Sequence, residues 1–292
     1  MKYTFFPGCC MKGDAPGYRE SIEAVCPAIG VDLITLDDWN CCGATAYSSI
    51  AELQSFCFSA RNLAMAQHEE RDLVAACAAC YTTLRKTDSY FWKYPEVKEK
   101  VSEALSTVGL TYDKKVNIRH LVDVIANEPE ILNMLKEKVK VKLTGLNVAS
   151  YHGCELVRPV DEHSFDDPEF PHTLDRLVTA VGAEAVPFPL TTRCCGGSMT
   201  MSRPEITVSH INKLLRCAVE NGAQCIIVAC PVCQINLDGY QGKVNARYKT
   251  NYKVPILYFT QLLGIALGFN LKELGLQRNI ISVKKLLSPY VS

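Results

Sequence analysis

Asp72-Leu73-Val74-Ala75-Ala76-Cys77-Ala78-Ala79-Cys80 and Gln224-Cys225-Ile226-Ile227-Val228-Ala229-Cys230-Pro231-Val232-Cys233 share one pattern: a short β-prone run that stops at a CxxC. Upstream of each lies an adjacent pair, Cys41-Cys42 or Cys194-Cys195, followed by a glycine (Gly43, Gly196). In both copies 34 residues separate the pair from the CxxC. Further upstream stands a single cysteine, Cys9 or Cys154, placed just after another β-prone run, Lys2 to Phe6 or Asn147 to Tyr151. The loop from that cysteine to the pair is 31 residues in the first copy and 39 in the second. Ten of the fifteen cysteines thus fall into two matched sets of five.

The repeat extends beyond the cysteines. Val31 to Leu36 and Ala183 to Phe188 are further strand candidates, one before each pair. Val116 to Val124 and Val254 to Leu262 each read as a short strand leading into a helix. Short Val/Ile/Leu-rich strands alternating with helical segments indicate βαβ units and parallel sheets. Between pair and CxxC, Ser49-Ile50-Ala51-Glu52 and Ser202-Arg203-Pro204-Glu205 read as capping boxes. Ile50, Leu53, Cys57, Ala60 and Leu63 fall at helical spacing on one face, as do Ile211, Leu214, Leu215 and Ala218. Asn221-Gly222 reads as a helix C-cap. The fold class expected is α/β: two pseudo-symmetric domains, each a small parallel sheet flanked by helices. A lysine-rich helix from about Pro129 ends the first, so the domains are expected at 1–143 and 144–292. Ligands of such sheets gather beyond the carboxyl ends of the strands. Cys9, Cys77, Cys154 and Cys230 are placed there, so if the domains pack with these ends facing, the two centres share one cleft.

The 292 residues suffice for two hydrophobic cores, and 48% hydrophobic residues suit a soluble globular protein. Lys plus Arg and Asp plus Glu balance at 31 each, so charge makes no case for nucleic acid or an anionic membrane. The acidic run Asp161 to Glu169 and the lysine cluster Lys136 to Lys142 read as solvated surface. The N-terminus lacks the apolar core of a signal peptide, and Leu257 to Leu271 is too short to span a bilayer. A cytoplasmic location is expected, and in a reducing compartment metal ligation suits these cysteines better than disulfides.

Thiolates are soft ligands, and ten in two sets imply two metal centres. A structural zinc site takes four ligands, and so does a cubane 4Fe-4S cluster. Five per copy leave one spare, or point to a cluster that is not a simple cube. Adjacent cysteines can present two thiolates to different irons or bridge a pair. The glycine after each pair, and Gly8 and Gly153 before the first cysteines, would allow positive φ and bring amide N–H groups toward sulfide.

The copies FPGC-x31-CCG-x33-CAAC and YHGC-x39-CCG-x33-CPVC, with the tail PILYFTQLLGIALG, resemble the tandem CCG domains of the B-type heterodisulfide reductase family over essentially the whole chain. The resemblance implies two noncubane 4Fe-4S clusters. Their ligands would be Cys9, Cys41, Cys42, Cys77 and Cys80, and Cys154, Cys194, Cys195, Cys230 and Cys233. It also implies cleavage of a disulfide, such as that of coenzyme M and coenzyme B, between the clusters. Implied partners are a subunit with conventional 4Fe-4S clusters (C type), a flavoprotein subunit (A type), and a small-molecule or carrier-bound thiol or disulfide. The chain has no nucleotide-binding glycine fingerprint, so electrons must come from outside. Two related readings stay open: a sulfur-oxidising complex acting on carrier-bound thiols, and an electron-transfer subunit of a glycolate- or succinate-type dehydrogenase.

Outside the motif, His152 could protonate a departing thiolate and Arg193 could hold an anionic substrate, against packed and surface roles respectively. Cys26, Cys57, Cys217 and Cys225 read as small buried hydrophobes. Cys10 adjoins Cys9 but has Glu155 as its counterpart, so it stays outside the ligand set.

Overall fold

The computed structural model describes residues 1–44, 46–158, 160 and 164–291, with backbone alone at 46 and 47. Eight strands among them form two four-stranded parallel sheets of identical topology. The first contains β1 (Lys2–Phe6), β2 (Asp32–Thr35), β3 (Leu73–Ala75) and β4 (Ile118–His120) in the order β2-β1-β3-β4. The second contains β5 (Asn147–Tyr151), β6 (Glu184–Ala185), β7 (Cys225–Val228) and β8 (Ile256–Tyr258) in the order β6-β5-β7-β8. All strands of the first sheet precede Gly145 and all strands of the second follow it. β6 is shorter than its expected run because Pro187 and Pro189 remove ladder donors from an edge strand.

The first half carries α1 (Gly8–Lys12), α2 (Pro16–Ala28), α3 (Ala46–Ile50), α4 (Glu52–Ala66), α5 (Ala78–Lys93), α6 (Pro95–Ser106), α7 (Leu121–Asn127) and α8 (Pro129–Lys138). The second carries α9 (Thr173–Ala180), α10 (Pro204–Glu220), α11 (Pro231–Gly239), α12 (Gln241–Tyr248), α13 (Phe259–Ala266) and α14 (Lys284–Leu287). Helices cover both faces of the central strands. All four residues of β7 are therefore buried, and the strand reads as a continuous apolar run.

In each sheet the chain leaves the first strand in one direction and returns on its other side, so a topological switch point lies between β1 and β3, and between β5 and β7. That is where open α/β sheets bind ligands. Cys9 and Cys77 follow the strands flanking one switch point, and Cys154 and Cys230 follow those flanking the other. The repeats are joined by exchanged helix packing: α13 lies on α2, and α7 on α9. Ser21 Oγ and Thr260 Oγ1 stand 2.6 Å apart across the first of these contacts.

Several local expectations change. Neither capping box forms, because α4 starts after Ala51 and α10 after Arg203, with no side-chain cap at either. Ser49 instead lies in the separate short helix α3. Ile50 is 86% exposed and Leu53 is also exposed; the buried stripe of α4 runs through Phe56, Ser59, Ala60 and Leu63. The helix is rotated because its serines serve the cysteine pair: Ser59 Oγ donates to the Cys42 carbonyl and Ser55 Oγ to the Gly43 carbonyl, each at 2.8 Å. In α10 the expected face is buried, and Asn221 and Gly222 (φ +81°) end the helix. Cys57 and Cys217 are only half-buried, whereas Cys26 and Cys225 are fully buried.

Asp161 and Glu162 lie outside the described residues, but Asp166 of the same acidic run is not idle surface. It accepts from the backbone N–H groups of His172 and Thr173 at the start of α9. No described helix is long and apolar enough to cross a membrane. The apolar tail forms β8 and α13, every residue of which is buried.

Candidate metal centre

Ten thiols form one continuous line. Cys9 contacts Cys41, and Cys41 contacts Cys42. Cys42 Sγ lies 3.4 Å from Cys80 Sγ, and Cys80 contacts Cys77. The second set repeats the order: Cys154 to Cys194, Cys194 to Cys195, Cys195 Sγ to Cys233 Sγ at 3.5 Å, and Cys233 to Cys230. The two lines meet where Cys77 and Cys230 are in hydrogen-bond contact.

The backbone is shaped for this. Gly43 and Gly196 have φ of +78° and +82°, so each pair is followed by a left-handed residue. A Cβ at Gly196 would lie 2.9 Å from Thr207 Cα, inside the backbone of α10. Glycine lets the turn sit on that helix, where Thr207 Oγ1 donates to the Gly196 carbonyl at 2.9 Å, as Ser55 does for Gly43. The turn also directs the Gly196 N–H to Cys194 Sγ at 3.2 Å. Cys77 and Cys230 are N-cap residues of α5 and α11, where free N–H groups and the helix dipole favour thiolate; of the two only Cys230 is lowered, and its contact raises Cys77.

Electrostatics is uneven along the two lines: Cys41, Cys194 and Cys230 are lowered, and the other seven thiols are raised by neighbouring thiols and burial. Cys42 and Cys9 pull Cys41 far below the usual thiol range, as Cys154 and Cys195 do for Cys194. Cys230 is also lowered, first by Cys233 and then by Cys77. Burial alone pushes Cys26 and Cys225 up to about 12, so they stay protonated. Unlike the ten, Cys26 and Cys225 are shifted by burial with no neighbouring thiol in contact. Among the described residues no three donors are arranged to hold a single ion. A thiol line of this length suits a cluster that spreads its ligands over several irons.

A cavity of ≈ 360 Å³ opens against the second set, with Cys154, Cys194, Cys195, Cys230 and Cys233 on its wall. The opposite wall comes from the first repeat and includes Ser49, Glu52, Thr82 and Lys86. Lys86 Nζ lies 2.6 Å from Glu52 and within 5.6 Å of the Phe56 and Tyr90 rings. Glu155 also lines the cavity, and burial followed by the nearby Cys230 and Cys194 raises its carboxyl pKa.

The two non-cysteine candidates lie elsewhere. His152 is buried, with Nδ1 2.8 Å from Thr191 Oγ1 and Nε2 accepting from the Leu174 N–H at 3.2 Å. Both ring nitrogens are engaged in packing, away from the cavity wall. Arg193 is exposed and also absent from that wall; its carbonyl accepts from Tyr151 Oη. Cys10 does approach the line, in contact with Cys9 and near Cys41 and Cys230. Sequence reasoning missed Lys86, Tyr18, His120 and Tyr258. Tyr18 and Tyr258 stack beside the Cys77–Cys230 junction with centroids 4.0 Å apart and planes 2° from parallel. The available signal was the equivalence of His120 and Tyr258, each ending the last strand of its repeat.

Comparison with known proteins agrees with this architecture. The family model described as a cysteine-rich domain (CCG) matches residues 3–85 and again 148–238. The chain is 32% identical over 285 residues to the 8-methylmenaquinol:fumarate reductase membrane anchor subunit of Wolinella succinogenes, covering 98% of this chain and 99% of that protein. It is 30% identical over 285 residues to the B-type subunit of the ferredoxin:CoB-CoM heterodisulfide reductase of Methanosarcina mazei, covering 96% and 94%. A protein of Archaeoglobus profundus named for its likeness to the B-type heterodisulfide reductase subunit is 31% identical over 275 residues, covering 92% of each chain. A crystal structure of a hypothetical protein from Helicobacter pylori superimposes with a TM-score of 0.75 over 97% of this chain. This chain spans 52% of that one, and at 17% identity the likeness concerns fold alone. With the motif matched twice, and relatives aligned over nearly the full length, the chain belongs to the cysteine-rich CCG domain family as a tandem member.

Proposed function

We propose that this protein is the catalytic subunit of a heterodisulfide reductase-type complex, cleaving or forming a disulfide between two noncubane 4Fe-4S clusters. The observation carrying the proposal is the line of ten thiols joined at Cys77 and Cys230, with a cavity against it. The five cysteines of each half would hold one cluster. Such clusters supply single electrons, and breaking an S–S bond takes two.

The chain itself supplies the container and its polarity. α4 and α5 of the first repeat wall the cavity over the second set of thiols, limiting water beside them. Lys86 is the one cation among the described cavity-lining residues, and its Glu52 partner is half-exposed. An exposed pair of this kind is weak, so Lys86 is free to turn to an anionic group of a substrate. Electrons would arrive from a C-type 4Fe-4S subunit and, behind it, an A-type flavoprotein subunit. Coenzyme M/coenzyme B heterodisulfide is the substrate suggested by the names of the archaeal relatives. The experiment is reduction of that disulfide by protein purified without oxygen, with a low-potential artificial donor replacing the partners. Turnover is expected. A fully loaded protein that never turns over any disulfide ends the proposal.

A second reading is favoured by the fumarate reductase relative, which aligns over 98% of this chain. In that reading the same thiols hold relay clusters, and no disulfide is made or broken. Cluster spectra that ignore added thiols would support it.

A further inference from the structure

His120 ends β4 as the N-cap of α7 and is completely buried. Its Nδ1 accepts from the Val122 N–H at 3.1 Å, which assigns the ring proton to Nε2. Nε2 lies 3.0 Å from the Ala76 carbonyl oxygen, which takes the ring's single N–H. Ala76 and Ala229 are equivalent residues. Each immediately precedes the cysteine, Cys77 or Cys230, at which the two thiol lines touch.

A second donor converges on the same point. Tyr18 Oη, fully buried, donates to the Ala76 carbonyl at 3.0 Å, so both lone pairs of that oxygen are engaged. The Tyr81 ring stands edge-on to His120, with centroids 5.6 Å apart, and blocks rotation of the imidazole. The second repeat offers no equivalent, because Tyr258 occupies the matching strand end and stacks on Tyr18. The clasp is therefore asymmetric and acts on the first repeat's side of the junction. Neither its position nor these contacts belong to the cysteine motif.

We propose that His120 is a positioning residue for the junction of the two thiol sets. By holding the backbone ahead of Cys77, it sets the separation of the Cys77 and Cys230 sulfurs and thereby the coupling between the two centres. Both cysteines are in extended conformation (φ −94° and −130°), and φ links the preceding peptide to the Cα–Cβ bond, so the orientation of that peptide directs the side chain. The presence of two centres rests on the iron–sulfur reading above; the clasp itself does not.

The test compares His120→Phe, His120→Gln and Tyr18→Phe with the parent, purified without oxygen. Readouts are iron content, EPR spectra and the midpoint potentials of both centres. His120→Phe keeps the ring volume and removes the donor; it should load iron yet alter the magnetic interaction between centres and their potentials. His120→Gln returns an amide N–H toward the same carbonyl and should restore the parent spectrum. Spectra and potentials unchanged in His120→Phe would overturn the proposal, as would equal changes in both His120 variants. If His120→Phe does not load iron, Tyr18→Phe decides, with altered spectra expected and parent-like spectra overturning the idea. If even the parent carries no cluster, the iron–sulfur reading fails and the clasp is judged separately. Diamide, a two-electron oxidant, would then take one hydrogen from each of Cys77 and Cys230 and leave them as a disulfide. Mass spectrometry of the linked peptide should show the rate falling about tenfold in His120→Phe and holding in His120→Gln. Equal rates in all three proteins overturn the proposal.

Discussion

Cys77 and Cys230, 153 positions apart in sequence, touch at the centre of the molecule, each at the N-terminus of a helix that begins where a buried strand ends. The contact follows from topology. Two sheets of the same order present their switch points to one another, so the cysteines after β3 and β7 have the shortest path between the repeats. The other eight thiols lead away from this point in two equivalent directions.

Protein purified without oxygen should contain about eight iron and eight sulfide per chain, from two four-iron clusters. Elemental analysis checks this. An EPR signal that changes on adding a thiol is expected as well. Stoichiometric zinc without acid-labile sulfide would refute the assignment.

Cys41→Ser and Cys195→Ser should each lose or convert one cluster and leave the other half's cluster in place. Cys57→Ala and Cys217→Ala, at half-buried helix positions, should keep both clusters and cost on the order of 1 kcal/mol or less. Iron analysis with denaturant unfolding separates the two classes. Equal iron loss in all four variants would discard the ligand set.

Gly196→Ala and Gly222→Ala form a matched pair, with φ of +82° and +81°. Alanine at Gly222 meets nothing within 4 Å, so only the backbone penalty of roughly 1 kcal/mol applies. Alanine at Gly196 also strikes the α10 backbone at Thr207 Cα, displacing the N–H that reaches Cys194. The Gly196 variant should lose the second cluster and the Gly222 variant should retain it. Parent-like iron content in Gly196→Ala would remove the role assigned to this turn.

Burial lowers the His120 pKa to about 4 from an ordinary value near 6.5. The unfolded chain then takes up a proton first as pH falls. The stabilisation is therefore complete above about pH 6.5 and is lost between there and about pH 4. From pH 7 to pH 5 the chain should lose roughly 2 kcal/mol through this group. His152, equally buried, adds a slope common to parent and variant. Urea unfolding of the parent and His120→Gln should show the smaller pH dependence in the variant. Identical slopes would mean that His120 titrates normally.

Loss of either cluster should abolish disulfide turnover, by on the order of 100-fold or more, even with an artificial reductant. A single-cluster variant that is folded, iron-loaded in its other half and still near parent turnover would show that one centre suffices.

The β-prone runs that end at cysteines were legible because β1, β3, β5 and β7 are buried over nearly their whole length and so are mostly apolar, with Thr4 and Ser150 the small buried exceptions. A thiol at the end of such a strand is carried to a predictable place, and repetition of the spacing picks out the ten that line up. Helix starts were less legible. Ser49 and Ser202 have capping spacing, but α4 and α10 begin where Ser55 and Thr207 can reach the carbonyls after the cysteine pairs. Tertiary hydrogen bonds outweighed a local preference worth only about 1 kcal/mol.

The sequence by itself therefore determined the α/β class and the twofold repetition, and singled out ten thiols by their shared spacing, because each rests on short-range rules: strand periodicity, glycine conformation and residue spacing. Only the tertiary structure decided that the two sets join at Cys77 and Cys230. It also decided that Lys86 faces a cavity, that His152 is packed, and that His120 and Tyr18 meet at the Ala76 carbonyl. Those partners stand 44 and 58 residues apart in the last two contacts. No local pattern links them, because their proximity comes from how the parallel crossovers and the exchanged helices bring distant strand ends together.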